Sequence, residues 1–98
     1  MKRFRIRFTP EASRLASQLP PETKKLIKDA LKMLQKNPFL GDDLHQELEG
    51  FKSFKPKRYR ILYALDEEKA TIDIYYIGHR RDVYEQFRHL LDELNKPL

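Results

Sequence analysis

The side chains able to do chemistry fall into two cationic groups far apart in the chain. Lys52, Lys55, Lys57, Arg58 and Arg60 lie within residues 51–60 with no acid among them. His79, Arg80 and Arg81 form the second group, with Tyr84 just beyond. Guanidinium groups held together grip a phosphate through paired, charge-assisted hydrogen bonds. Such a set can also cut RNA without a metal. That reaction needs a base for the ribose 2′-OH proton, cations to stabilise extra negative charge on phosphorus, and an acid for the departing 5′ oxygen. Imidazole, with an ordinary pKa of about 6.5, suits either proton role. An ammonium can act as base where neighbouring cations lower its pKa. A phenol can stack on a base or donate a proton.

These groups act together only if folding joins them. Tyr59–Leu65 and Thr71–Ile77 are rich in β-branched and aromatic residues, and the acidic stretch 66–69 separates them. This pattern predicts an antiparallel hairpin. With the turn centred on Glu67 and Glu68, Arg60 comes opposite Tyr75 and Arg58 opposite Ile77, while Lys55 and Pro56 approach His79 and Arg80. Alternation places Arg58 and Arg60 on one face. The expectation is therefore that Lys55, Arg58, Arg60, His79, Arg80 and Tyr84 converge at one end of the sheet.

The other elements follow from periodicity and caps. Phe4, Ile6 and Phe8 alternate with Arg3, Arg5 and Arg7, a strand with one wet face. Thr9-Pro10-Glu11 supplies an N-cap oxygen, a first-turn proline and an acid at the positive helix end. The first helix is expected to bury Ala12, Leu15, Ala16 and Leu19. Pro21 opens a second helix whose stripe is Leu26, Ile27, Ala30, Leu31 and Leu34, with five lysines outside it. Asn37-Pro38 stops that helix. Residues 37–50 read as a loop. Residues 51–54 read as a strand that Pro56 restricts to an edge or bulge. A last helix over about 82–95 buries Val83, Phe87, Leu90, Leu91 and Leu94. The order β-α-α-β-β-β-α implies an α+β fold: a small antiparallel sheet with an N-terminal helical hairpin and a C-terminal helix, helices on one face.

A chain of 98 residues reads as one domain, 1–98. Its formal net charge of +5 points to an acidic partner, either nucleic acid or an acidic protein segment. The chain has no cysteine, which excludes a disulfide framework and a cysteine zinc site. No three His, Asp or Glu residues stand at metal-ligand spacing, so neither metal nor other cofactor is expected. MKRFRIRF is too short and too charged for a signal peptide, and no apolar run is long enough to span a membrane. These features imply a soluble cytoplasmic protein with no membrane partner. Competing structural readings are simple. His45 and His89 suit the surface, Tyr59, Tyr63, Tyr75 and Tyr76 suit sheet packing, and the second helix's lysines suit its wet face.

Several segments together resemble the RelE/ParE toxin superfamily nearly end to end. They are Thr9-Pro10-Glu11-Ala12, Leu19-Pro20, Asn37-Pro38 with Gly41, Leu48-Glu49-Gly50, residues 58–63 (Arg-Tyr-Arg-Ile-Leu-Tyr), and 77–84 (Ile-Gly-His-Arg-Arg-Asp-Val-Tyr). The resemblance implies a toxin of a type II toxin–antitoxin system. Many RelE-like members cut mRNA in the ribosomal decoding site without metal, leaving a cyclic phosphate. It implies that Arg60 and Arg80 stabilise the phosphate, that Lys55 stands near the family's catalytic lysine, and that Tyr84 is its catalytic or stacking tyrosine. His79 corresponds to a histidine some members use for proton transfer. Lys52, Lys57, Arg58 and Arg81 are expected to bind RNA. Ser53 takes the place of a second lysine of the best-known pattern. A carboxylate used by some members falls nearest Gln46, with Glu47 adjacent. The implied partners are a cognate antitoxin, ribosome-bound mRNA, and operator DNA only through the antitoxin complex. The alternatives on this scaffold are a ParE-like inhibitor of DNA gyrase without nuclease activity and a module that only binds its antitoxin.

Overall fold

The computed structural model describes residues 3–95. Its elements are β1 (Arg5–Phe8), α1 (Pro10–Ser17), α2 (Pro21–Lys36), β2 (Asp42–Asp43), a short 3₁₀ turn (Gln46–Leu48), β3 (Lys52–Phe54), β4 (Tyr59–Asp66), β5 (Thr71–His79) and α3 (Val83–Leu94). Thr9 caps α1 as expected, its Oγ1 accepting from the Ala12 N–H at 3.1 Å. Pro21 starts α2, and the chain leaves helical geometry at Asn37.

The α+β class and the order of the main elements hold, but the sheet is mixed. Its strand order is β1-β5-β4-β3-β2, and β1 lies parallel to β5. An isolated strand's sequence shows its wet face but not the edge or direction in which it pairs. Here the free edge of β5 takes β1, and Arg7 seals the join with two hydrogen bonds to Asp73 at 2.8 and 3.0 Å.

The helices also lie on both faces of the sheet. Ile61, Leu62 and Tyr63 are consecutive and all fully buried, so β4 must be covered twice. Ile61, Tyr63, Ile72, Ile74 and Ile77 pack with Ala12 of α1 and with Ile27, Ala30 and Leu34 of α2. Leu62 packs on the opposite face with Val83 and Phe87 of α3, and with Leu48. A bulge between Leu62 and Tyr63 shifts the pairing with β5, so both Tyr75 and Tyr76 turn toward α3. Leu94, expected to be buried, is 70% exposed, at the rim of an open groove that α3 forms with Thr9, Pro10 and Tyr75.

The segment 37–50 is more ordered than a plain loop. The Tyr63 hydroxyl, fully buried, donates to the Pro38 carbonyl at 2.8 Å and accepts from the Gly41 N–H at 2.9 Å. Burial raises the Tyr63 pKa. Gly41 is required at this spot, since a Cβ there would come within 2.6 Å of the Tyr63 oxygen. This tie brings Asp42 and Asp43 into register with β3, opposite Ser53 and Lys52. Tyr63→Phe keeps the ring but strands a buried N–H and a buried C=O. The expected cost is about 1–3 kcal/mol, read as a lower urea midpoint at unchanged m.

Candidate functional site

The β4–β5 hairpin sets the site, in a register different from the sequence expectation. Arg60 pairs with Gly78 rather than Tyr75, and Tyr59 pairs with His79. The turn closes Asp66 onto Thr71, further along than Glu67 and Glu68 suggested, and the bulge adds a residue to β5. The ladder runs one step further, as the Arg80 N–H donates to the Arg58 carbonyl at 2.7 Å. The two cationic groups therefore do meet at one end of the sheet.

Which face each residue takes decides what can work together. Leu62 lies on the α3 face, so strand alternation puts Arg60 there, with Gly78 beside it, while Arg58 and Arg80 meet backbone to backbone just past the strand ends. Ser53 pairs with Leu62 and is buried on this same face, where its Oγ lies 2.9 Å from the Tyr84 hydroxyl. Lys55, two residues on, continues that line. The Lys55 ammonium feels both Arg60 and Tyr84 electrostatically. Gly78 lets α3 start close over β5, since a Cβ there would lie 3.1 Å from a Val83 methyl. Lys55, Arg60 and Tyr84 thus share one face, with Ser53 as the support of Tyr84, and Arg80 joins this end of the sheet through its backbone.

His79 does not join them. It pairs with Tyr59, whose ring packs against the α1/α2 core, and the two rings meet edge-on at 5.8 Å between centroids. Alternation puts His79 on the face opposite Arg60, which corrects the expectation that it converges with the others. Its Nδ1 accepts from the Arg81 N–H at 3.3 Å.

Arg60 is held before any ligand arrives. Its Nη1 donates to the carbonyls of Lys57 at 3.0 Å and Tyr59 at 2.7 Å. Lys57 takes a left-handed φ of 54°, which turns the chain between β3 and β4. Lys55 pairs with Asp42 at 2.9 Å. That hydrogen bond raises the Lys55 pKa and outweighs the lowering by Arg60. The Asp42 carboxylate thus favours the ammonium form of Lys55.

Of the four expected RNA-binding cations, Lys52 is committed to structure. It is 19% exposed, pairs with Asp43 at 2.7 Å and lies 5.8 Å from the Phe39 ring centre. Its ammonium holds Asp43 below the usual carboxylate range. Lys57, Arg58 and Arg81 are exposed and carry no ion pair among the described residues. Asp42 and Arg88 were not singled out by the sequence reading. Asp42-Asp43 carried a faint signal as an acid doublet ahead of the basic stretch. Arg88 follows Tyr84 by one helical turn. It lines a cavity of about 530 Å³ with Arg81, Tyr84 and the turn 45–48. Among the described residues, no three His, Asp or Glu stand close enough to hold a metal ion. No helix among them is long and apolar enough to cross a membrane.

Comparison with known proteins agrees with this architecture. Toxin RelG of Mycobacterium tuberculosis is 34% identical over 85 residues, covering 85% of this chain and 98% of the relative. The toxin–antitoxin complex RelBE2 of the same organism contains a chain that superposes with a TM-score of 0.73 at 33% identity, covering 81% of this chain and all of that one. A double arginine-to-alanine mutant of E. coli toxin RelE in the free state matches in fold at a TM-score of 0.74 and 15% identity, over 98% of this chain and all of that one. The fold and its cationic sheet end define a small toxin domain of the RelE type. The model for the ParE toxin of type II toxin–antitoxin systems matches residues 6–84, and the chain belongs to this RelE/ParE toxin family.

Proposed function

We propose that this toxin is a ribosome-dependent, metal-independent mRNA endonuclease. The observation that carries the reading is Lys55 and Arg60 beside Tyr84 on one face of the sheet, with Arg80 at the same sheet end. In the proposed reaction the ribose 2′ oxygen attacks phosphorus. The P–O5′ bond breaks, leaving a 2′,3′-cyclic phosphate and a 5′-hydroxyl. Arg60 and Arg80 stabilise the charge gathering on the phosphoryl oxygens, and the Lys55 ammonium adds to that field. With the ammonium form of Lys55 favoured, Asp42 is the group beside it able to take the 2′-OH proton. Tyr84, steadied by Ser53, returns a proton to the 5′ oxygen. RelE-type relatives are seen in complex with their antitoxins. For this chain a cognate antitoxin with an acidic segment suits the net charge of +5, and operator DNA is met only through that complex.

The test is primer extension on mRNA in a translating extract. Codon-periodic cuts are expected from the wild type, whereas an intact transcript sinks the reading. Asp42→Asn should slow cutting about a hundredfold, the low end of general-base effects, because a carboxylate 70% exposed can be partly replaced by water. Single-turnover rates against pH check the assignment. The variant's pH profile should differ from that of the wild type, and identical profiles count against Asp42 as the base.

The match to a model described as ParE favours a second reading, a gyrase inhibitor without RNA chemistry. Purified protein that stabilises cleaved gyrase–DNA complexes in a supercoiling assay, and leaves mRNA whole, would establish it instead.

A further inference from the structure

Strand β5 ends at His79 and α3 begins at Val83, so residues 80–82 alone carry the chain from one to the other. Arg80, Arg81 and Asp82 include no glycine or proline to fix the turn. Asp82, at the helix start, makes no side-chain capping bond. Hydrogen bonds to neighbouring groups hold the segment instead. The Arg80 N–H donates to the Arg58 carbonyl at 2.7 Å, and the Asp82 N–H donates to the His79 carbonyl at 3.3 Å. A further one involves a side chain: His79 Nδ1 accepts from the Arg81 N–H at 3.3 Å. The imidazole is itself half-buried and steadied by its edge-on packing against Tyr59.

The later half of the site rides on this turn. Arg80 and Arg81 belong to it, and Tyr84 follows in the first turn of α3, where its hydroxyl meets Ser53 at 2.9 Å. Arg60, by contrast, is tied to carbonyls at its own strand end. The two halves keep their spacing only while the turn keeps its shape. An imidazole on the face opposite Arg60 is poorly placed to exchange a proton with a phosphodiester gripped there. Its bond to the Arg81 N–H gives it a different use. We propose that His79 is a positioning residue: its Nδ1 holds the turn 80–82, and the turn sets Arg80 and Tyr84 against Arg60. The role requires a ring with its proton on Nε2, because a protonated Nδ1 donates and cannot accept. The inference rests on the nuclease reading and concerns how the site of that reaction is assembled.

His79→Asn, His79→Gln and His79→Ala separate this role from proton transfer. An asparagine oxygen stands as far along the side chain as Nδ1 and readily accepts from the N–H two residues on. A glutamine amide reaches instead to the place of Nε2. Single-turnover cleavage of mRNA on ribosomes by His79→Ala should fall about ten- to a hundredfold, the effect of a small misplacement of reacting groups. The ribosome concentration giving half the maximal rate should barely move, because every cation is still present. His79→Asn should recover most of the rate, and His79→Gln should stay as slow as His79→Ala. Full activity in His79→Ala, or no recovery in His79→Asn, overturns the proposal. In a second arm, amide hydrogen exchange is followed on the isolated chain. The Arg81 amide should exchange at similar rates in the wild type and His79→Asn, and about tenfold faster in His79→Ala. An mRNA left whole by the wild type, with Arg81 exchange in the expected order, would discard the nuclease reading and leave His79 as the cap of the turn. Cleavage by the wild type with equal Arg81 exchange in all variants discards the positioning role alone.

Discussion

Arg60→Ala should lower mRNA cleavage by about 10² to 10³-fold, the range for losing one preorganised donor to a developing oxyanion. The side chain is already oriented by the carbonyls of Lys57 and Tyr59, so little reorganisation is left for the moment of reaction. Arg60→Lys should recover only a small part of the loss. A lysine carries the charge but cannot use one nitrogen to hold the backbone while presenting others in a fixed fork. The comparison is made by primer extension in a translating extract, with circular dichroism confirming that each variant folds. Binding to ribosomes should weaken only modestly in Arg60→Ala, because Lys57, Arg58, Arg80 and Arg81 still supply phosphate contacts. Cutting at the wild-type rate by Arg60→Ala would remove the central cation from the mechanism. Equal losses of binding and cleavage would make Arg60 an anchor rather than a stabiliser of the transition state.

The placement of Arg60 shows how far sequence reasoning reaches. The hairpin was legible because residues 59–65 and 71–77 carry strong strand signals around an acidic turn. Its register was not, since the closing pair Asp66–Thr71 and the bulge at Leu62/Tyr63 depend on packing against two helical layers. Only an odd shift of register reverses which side chains share a face; the partner of Arg60 moves from the expected Tyr75 to Gly78, three residues, and this is what separates His79 from Arg60. The convergence of the cationic groups survives because the ladder still brings Arg58 and Arg80 together at one sheet end. The α1 cap was readable from Thr9-Pro10 because capping is local. The parallel pairing of β1 and the Asp42–Lys55 contact were not readable. Both join segments through the tertiary fold, and the second depends on Tyr63 holding Pro38 and Gly41 in place. The run Ile61-Leu62-Tyr63 did carry an unused signal. Three consecutive apolar residues imply a strand covered on both faces, and α3 supplies the second cover.

The dependence of the site on that cover leads to the largest expected effect on stability. Phe87 is fully buried and meets Phe51 edge-on at 5.0 Å between ring centres, with Tyr76 at 5.9 Å and Tyr75 at 6.3 Å. In α3, Val83 is the other buried residue, while Leu90 and Leu91 are half-buried. Phe87→Ala should therefore cost about 3–5 kcal/mol, since Tyr75 and Tyr76 are fixed in β5 and Phe51 directly precedes β3, which leaves the rings little freedom to fill the hole. A domain of this size has total stability of roughly 5–15 kcal/mol, so the melting temperature should drop by more than about 10 °C. The loss should be uneven. The α1/α2 core does not contain Phe87, and β4 and β5 amides should keep slow hydrogen exchange longest, while α3 amides exchange early. Cleavage should fall at temperatures where the sheet is still folded, because Tyr84 and Arg88 ride on the loosened helix. Phe87→Leu refills most of the space and should restore both properties largely together. A Phe87→Ala protein that melts within a few degrees of wild type, or that loses β5 and α3 protection at the same rate, would mean that α3 is held by something other than this aromatic cluster.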